Sequence, residues 1–258
     1  MERKVLTFLI RTITFLCRVD TTTFFVLLLI AEVLGTVGGF GSSMLVMPLA
    51  GWFMPFDQAL GLTAVFHVFS NAAKMLLFRQ GMDKAMLLNM GVPAVIGVLV
   101  GARLTMYVDT GSMNMVLGIA LLMMSAFLFL LPRMRIAPTR TNAMLGGSTS
   151  GLIAGLVGTG GAVRGATLAA FGLEKNVFIS TSAWIDMGVD LSRSAVYWGQ
   201  GYLNTTLWLY LPGLALVSLV GSYLGARILK HVDQPLFERI VLGLVFALGI
   251  VSLASAAR

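Results

Sequence analysis

Cysteine, histidine and charge are all scarce in this chain, and each shortage closes off a class of function. The one cysteine, Cys17, cannot pair within the chain or supply a CxxC metal site. The two histidines, His67 and His231, lie far apart and lack metal-ligand spacing. No metal and no other cofactor is therefore expected. No GxxxxGK(S/T) stretch occurs, which argues against ATP hydrolysis by this chain. Charged residues make up 11% of the sequence, where soluble domains carry about 25%.

What is present is apolar. Hydrophobic residues fill 57% of the 258 positions, and mean hydropathy is +0.90. A soluble fold of this length could not bury so much apolar surface, so lipid must cover most of it. The expected class is an all-α polytopic membrane protein, and not an enzyme. The net charge of +7 does not point to nucleic acid, because the basic residues sit at the ends of apolar segments or singly within them. The expected partners are the lipid bilayer and a small anionic substrate; a homodimer is left open.

Eight apolar segments can be drawn, over 22–52, 57–79, 85–107, 112–131, 144–171, 177–198, 205–229 and 236–255, each about as long as a bilayer span or longer. Ahead of them Lys4, Arg11 and Arg18 recur every seven residues, with Leu6, Leu9, Ile13 and Leu16 on other faces. That pattern predicts an interfacial helix at the cytoplasmic surface over 1–21. The blander reading is an extended start to the first span. A basic connector over 132–143, with Pro132, Arg133, Arg135, Pro138 and Arg140, separates a first transmembrane repeat (22–131) from a second (144–258).

Both repeats open on a segment that glycine interrupts. Gly35, Gly38, Gly39 and Gly41 fall within seven positions, and each costs roughly 1 kcal/mol against alanine inside a helix. In lipid the freed backbone groups have no water to turn to. Gly155, Gly158, Gly160 and Gly161 repeat the anomaly about 120 residues later. Other matches keep the same order. His67, Asn71 and Lys74 correspond to Asp186, Asp190 and Arg193, and Pro93 to Pro212. Gly97-xxx-Gly101-Ala102-Arg103 corresponds to Gly221-xxx-Gly225-Ala226-Arg227, and Val108-Asp109 to Val232-Asp233. Two glycine-broken segments in matching positions mark a transporter's binding site.

Two topologies fit. If all eight segments cross with the N-terminus inside, most basic residues fall on the cytoplasmic side and both termini are cytoplasmic. If each break turns its segment back as a re-entrant hairpin, each half has three crossings and the repeats are inverted. The charge bias favours full crossings through a broken helix.

Charges inside apolar segments mark function by default. A helix restarting after a glycine break offers unpaired N–H groups and a positive dipole end. Arg164 follows the second break directly, while its repeat counterpart is Met44, so its charge is not shared scaffold. The predicted substrate-binding set is Gly38, Gly39, Gly41, Ser42, Ser43, Lys74, Gly158, Thr159, Gly160, Gly161 and Arg164. Glu32, His67, Asp186 and Asp190 are candidates for proton or ion coupling, and Asp190 with Arg193 for a structural ion pair. Each has a blander counterpart: glycines for helix packing, Lys74 snorkelling towards Arg79, His67 as a hydrogen-bonded core residue. Asp186 and Asp190 could also suggest an intramembrane aspartyl protease, but they lie four apart on one helix rather than on two.

The duplicated break (Gly38-Gly39-Phe40-Gly41 with Pro48 following, and Gly158-Thr159-Gly160-Gly161), the two Gly-Ala-Arg endings and the segment order resemble the TauE/SafE family of sulfite and organosulfonate exporters. The resemblance covers nearly the whole chain after about residue 24. It implies about eight helices in a bacterial inner membrane, moving sulfur-containing anions, usually outward. The second break departs from the pattern, with Arg164 and Thr167-Leu168 where a counterpart of Pro48 would stand. The function expected is secondary transport of a small oxyanion, foremost sulfite or an organosulfonate, by alternating access between the repeats. The alternatives are another carboxylate or inorganic anion, a cation-coupled solute, or a non-transporting membrane scaffold.

Overall fold

Glycine and small residues decide this fold by letting helix backbones touch. The computed structural model describes residues 21–38, 41–78, 81–130, 135–203 and 209–229, with isolated positions 231, 243, 246, 250 and 253. The expected interfacial helix before residue 21, most of the last apolar segment, and Gly39 lie outside the described residues. Nine helices are described: α1 (Thr21–Gly38), α2 (Ser43–Phe53), α3 (Phe56–Leu77), α4 (Lys84–Tyr107), α5 (Thr110–Leu130), α6 (Arg140–Val157), α7 (Gly161–Ala170), α8 (Lys175–Gly199) and α9 (Leu211–Ile228). Among the described residues there is no strand. By length and composition α1, α3, α4 and α9 can cross a membrane. Helix α8, at 25 residues, is long enough at about 1.5 Å per residue but carries Asp186, Asp190 and Arg193 within its length. Exposed side chains such as Ile96, Val100, Leu216 and Leu219 give α4 and α9 a lipid-facing side.

Helices α4 and α6 make the most extensive contact. A Cβ at Gly147, Gly151 or Gly155 would meet the carbonyls of Met90, Ala94 and Val98 in turn, and one at Gly97 or Gly101 would meet the backbone at Ser148 and Leu152. The numbers rise together, so the helices run parallel, and backbone contact this close requires small residues. A second parallel pair is α1 with α9, where Gly213, Gly221 and Gly225 face Phe25, Glu32 and Thr36. Helices α3 and α8 run antiparallel: Asn71 bonds Asp190 while His67 lies against Arg193.

The chain reverses at both breaks. Phe24, near the start of α1, packs edge-to-face on Phe53, the last residue of α2, with ring centroids 5.3 Å apart. Ile136, ahead of α6, donates its N–H to the carbonyl of Ala170 at the end of α7 (3.0 Å). Along the way Gly146 packs on Thr167 and Gly160 on Ser150 and Ala154. The full crossing favoured by charge is therefore corrected: α1–α2 and α6–α7 are helical hairpins. A 30-residue apolar stretch is long enough for either arrangement, and the close packing of glycine settles on reversal. The expected orientation of the termini, which rested on eight crossings, loses that support. Lys84, Arg135, Arg140 and Lys175 come to lie together at the end opposite Thr21.

The turns also fall later than expected. Gly35 and Gly155 sit within α1 and α6, where they admit the backbone of Ser42 and of Val98. The turns need Gly41 (φ 85°) and Gly158 (φ 78°), in the left-handed region that glycine enters without strain.

Candidate functional site

The two hairpin tips meet deep in the helix bundle. Arg193 of α8 reaches the carbonyl of Gly158 at the second tip (3.4 Å). Arg164, in the first turn of α7, extends towards Gly41 at the first tip, its Nη2 lying 3.8 Å from where a Cβ on that glycine would stand. Between the tips is a narrow cavity lined by Gly41, Ser43, His67, Asn71, Lys74, Ala154, Gly158, Gly160, Gly161, Arg164, Asp186, Val189, Asp190 and Arg193. Its free volume is ≈ 20 Å³, room for about one water molecule. In this conformation there is little room between its polar groups.

Helices α2 and α7 both begin here. Leu45 and Val46 bond back to the Ser42 carbonyl, and Arg164 N–H to Gly160. The N–H groups of Ser43 and Gly161, in the first turns, have no partner within their own helices. Two positive dipole ends thus point at one cavity.

Among the described residues three ion pairs lie around it, two of them buried and one part-buried. Lys74 Nζ lies 3.0 Å from Glu32 Oε1. Arg193 Nε donates to Asp190 Oδ1 at 2.7 Å. Arg164 Nη1 pairs with Asp186 Oδ1, and its Nε donates to Ser182 Oγ at 3.0 Å. Glu32, wholly buried, also accepts from Ser42 (2.5 Å), Ser70 (2.5 Å), Ser222 (2.8 Å) and Thr36 (3.2 Å). One carboxylate thereby joins α1, the first tip, α3 and α9. Asp190 binds α8 to α3 through Asn71 Nδ2 (2.7 Å). His67 donates Nδ1–H to the Thr63 carbonyl (2.6 Å) and sets Nε2 3.2 Å from Ser42 Oγ. Glu32 bonds Ser42 rather than the imidazole, so the ordered relay that activates a catalytic serine is absent.

The structure gathers most of the sequence-predicted set. Gly41, Ser43, Lys74, Gly158, Gly160, Gly161 and Arg164 line the cavity, as do His67, Asp186 and Asp190. It sets others back. Gly38 ends α1, Ser42 turns its hydroxyl to Glu32, and Thr159 holds a buried hydroxyl without a hydrogen-bond partner among the described residues. Glu32 lies behind the wall, and Lys74 joins it rather than snorkelling to a helix end. Asn71 and Arg193 line the cavity as well. Ser70, Ser182 and Ser222 escaped the sequence reading, since a serine in an apolar helix carries no signal of its partner.

The family model for the sulfite exporter TauE/SafE matches residues 24–252. The chain belongs to that family. No curated protein matches it. The family is one of membrane transporters, which matches the apolar helices. Every described charge around the cavity falls within the family-matched span.

Proposed function

We propose that the protein is a secondary transporter of small oxyanions, with sulfite and organosulfonates the favoured class, and that it exports them. The observation that carries this is the convergence of both hairpin tips on one cavity with Arg164 reaching from the second tip towards the first. The α2 and α7 dipole ends suit an anion, and the guanidinium fork suits an oxyanion with several oxygens. Gly41, Ser43, Gly158, Gly160 and Gly161 line its way in. Lys74 and Arg193 supply further positive charge, each held on a carboxylate. Gly38, Gly39, Ser42 and Thr159 belong to the tips that carry this set.

In this reading the halves are inverted repeats. A hairpin followed by α3, α4 and α5 makes three crossings, so the second hairpin opens at the opposite face from the first. Alternating access then exposes the shared site first past one tip and then past the other. The cavity's ≈ 20 Å³ describes the closed step between them.

Purified protein in liposomes should carry sulfite and sulfoacetate. Arg164→Ala should lower that flux on the order of 100-fold, the cost of a lost charge-assisted contact. Unchanged flux in the variant would remove Arg164 from the site, and no flux of any sulfur oxyanion in the intact protein would sink the substrate class.

A further inference from the structure

The three ion pairs around the cavity, two buried and one part-buried, match one to one, so the paired groups carry no net charge. An anion entering the cavity must take a cation from its carboxylate, which strands that carboxylate in a poorly hydrated interior. Breaking a buried pair in this way is strongly unfavourable. The stranded group has to be neutralised, and the three carboxylates are not equally able to accept a proton. Glu32 is 0% exposed and accepts four hydroxyl bonds besides its contact with Lys74. Asp190 uses both oxygens, one for Arg193 and one for Asn71. Asp186 is bonded, among the described residues, through Oδ1 to Arg164 alone, and its side chain is 17% exposed, the most of the six paired groups.

We propose that the anion enters together with one proton, which neutralises Asp186 as the anion takes over Arg164. This rests on the anion-transport reading above. Before the step, the Asp186 carboxylate is paired with the Arg164 guanidinium. After it, Asp186 is a neutral carboxylic acid, Arg164 is paired with the oxygens of a monoanion, a monosulfonate or hydrogensulfite, and the net charge inside is still zero. The proton comes from the solvent on the open side and leaves with the anion when Arg164 returns to Asp186. The charged and titratable groups facing Asp186 are Arg164 of α7, Lys74 and His67 of α3, and Asp190 and Arg193 on its own helix. Helix α6 offers the cavity only Ala154 and Gly158, and α4 meets α8 through Val95 against Gly188. Two of those facing cations are already held on other carboxylates, which leaves Arg164 as the one that Asp186 governs.

The sign of the pH dependence follows. The anion-bound state holds one more proton than the free state, so affinity falls as pH rises, by about tenfold per pH unit once Asp186 is ionised in the free protein. Methanesulfonate is the probe, because it stays a monoanion across the range and adds no titration of its own. Binding to the purified full-length protein is measured calorimetrically in buffers of different ionisation enthalpy, which counts protons taken up. The wild type should take up about one proton per methanesulfonate. Asp186→Asn should take up none, should lose the pH dependence, and should bind on the order of tenfold more tightly at alkaline pH, since a neutral amide holds Arg164 less firmly than a carboxylate does. Asp186→Glu keeps a carboxyl and should restore the uptake, which separates this role from one in folding. Methanesulfonate binding to the wild type with no proton uptake overturns the coupling and leaves the anion site standing. Unaltered uptake in Asp186→Asn overturns the assignment to Asp186. No binding of methanesulfonate or sulfite at any pH overturns both readings.

Discussion

The two hairpin tips are built alike and held differently. The first is fixed: Ser42 hydrogen-bonds Glu32, which also gathers Ser70, Ser222, Thr36 and Lys74 from three helices. Among the described residues the second has one long side-chain hydrogen bond to its turn, from Arg193 to the Gly158 carbonyl at 3.4 Å, and a Thr159 hydroxyl without a partner. Its nearest charge, Arg164, is shared with a part-exposed aspartate. A saturated carboxylate resists change, because every alternative leaves donors unsatisfied. A carboxylate with a single described partner can let go. On the proposed transport reading, the difference makes the second tip the readier of the two to yield.

The comparison first requires that both breaks be reversals, and that is an all-or-none matter. With Cys17 replaced by serine, single cysteines at the exposed positions Ala137, Glu174 and Tyr107 can be labelled with a membrane-impermeant maleimide. Ala137→Cys and Glu174→Cys flank the second hairpin and should react from the same face, with Tyr107→Cys reacting from the other. Reaction of Glu174→Cys together with Tyr107→Cys would restore the full crossing.

Next in size is stability. Glu32→Ala leaves Lys74 buried without its partner and strips four hydroxyl groups of their acceptor. It should cost about 3–5 kcal/mol, read as unfolding in detergent. Asp186→Asn should cost clearly less, because the group is partly exposed and asparagine can still accept from Arg164. Equal losses would erase the distinction between staple and switch.

Parts of this were legible in the sequence, for physical reasons. Gly97, Gly101, Gly221 and Gly225 announced close packing because four-residue spacing puts small residues on one helix face, and that is where α4 meets α6 and α9 meets α1. Arg164 stood out as a charge without a counterpart in the other half. Asp190 and Arg193, three apart, could only meet on their own helix. Reversal was not legible. Hydropathy reads the same for a long crossing and for a hairpin, and the contacts that decide it, Phe24 on Phe53 and Ile136 on Ala170, join positions with no shared pattern. The role of Glu32 was hidden as well. It reads as a proton carrier because it is a charge inside an apolar segment, and only Ser70 and Ser222, 38 and 190 residues away, show that its lone pairs are already taken.

The smallest effect tests the tips themselves, hydroxyl against hydroxyl. Ser42→Ala removes a donor from a buried carboxylate and should destabilise by about 1.5–3 kcal/mol, the range for a hydrogen bond to a charged group. Thr159→Val removes a hydroxyl that has no partner among the described residues while keeping the shape of the side chain. Burying that hydroxyl unpaired already costs free energy, so its loss should be neutral or stabilising by up to about 1 kcal/mol. A destabilisation by Thr159→Val as large as that by Ser42→Ala would mean that the second tip is fastened as firmly as the first. If Thr159 instead meets the substrate in the open state, its valine variant keeps its stability and loses affinity for methanesulfonate. That outcome would place the missing partner of Thr159 on the ligand and sharpen the division between the tips.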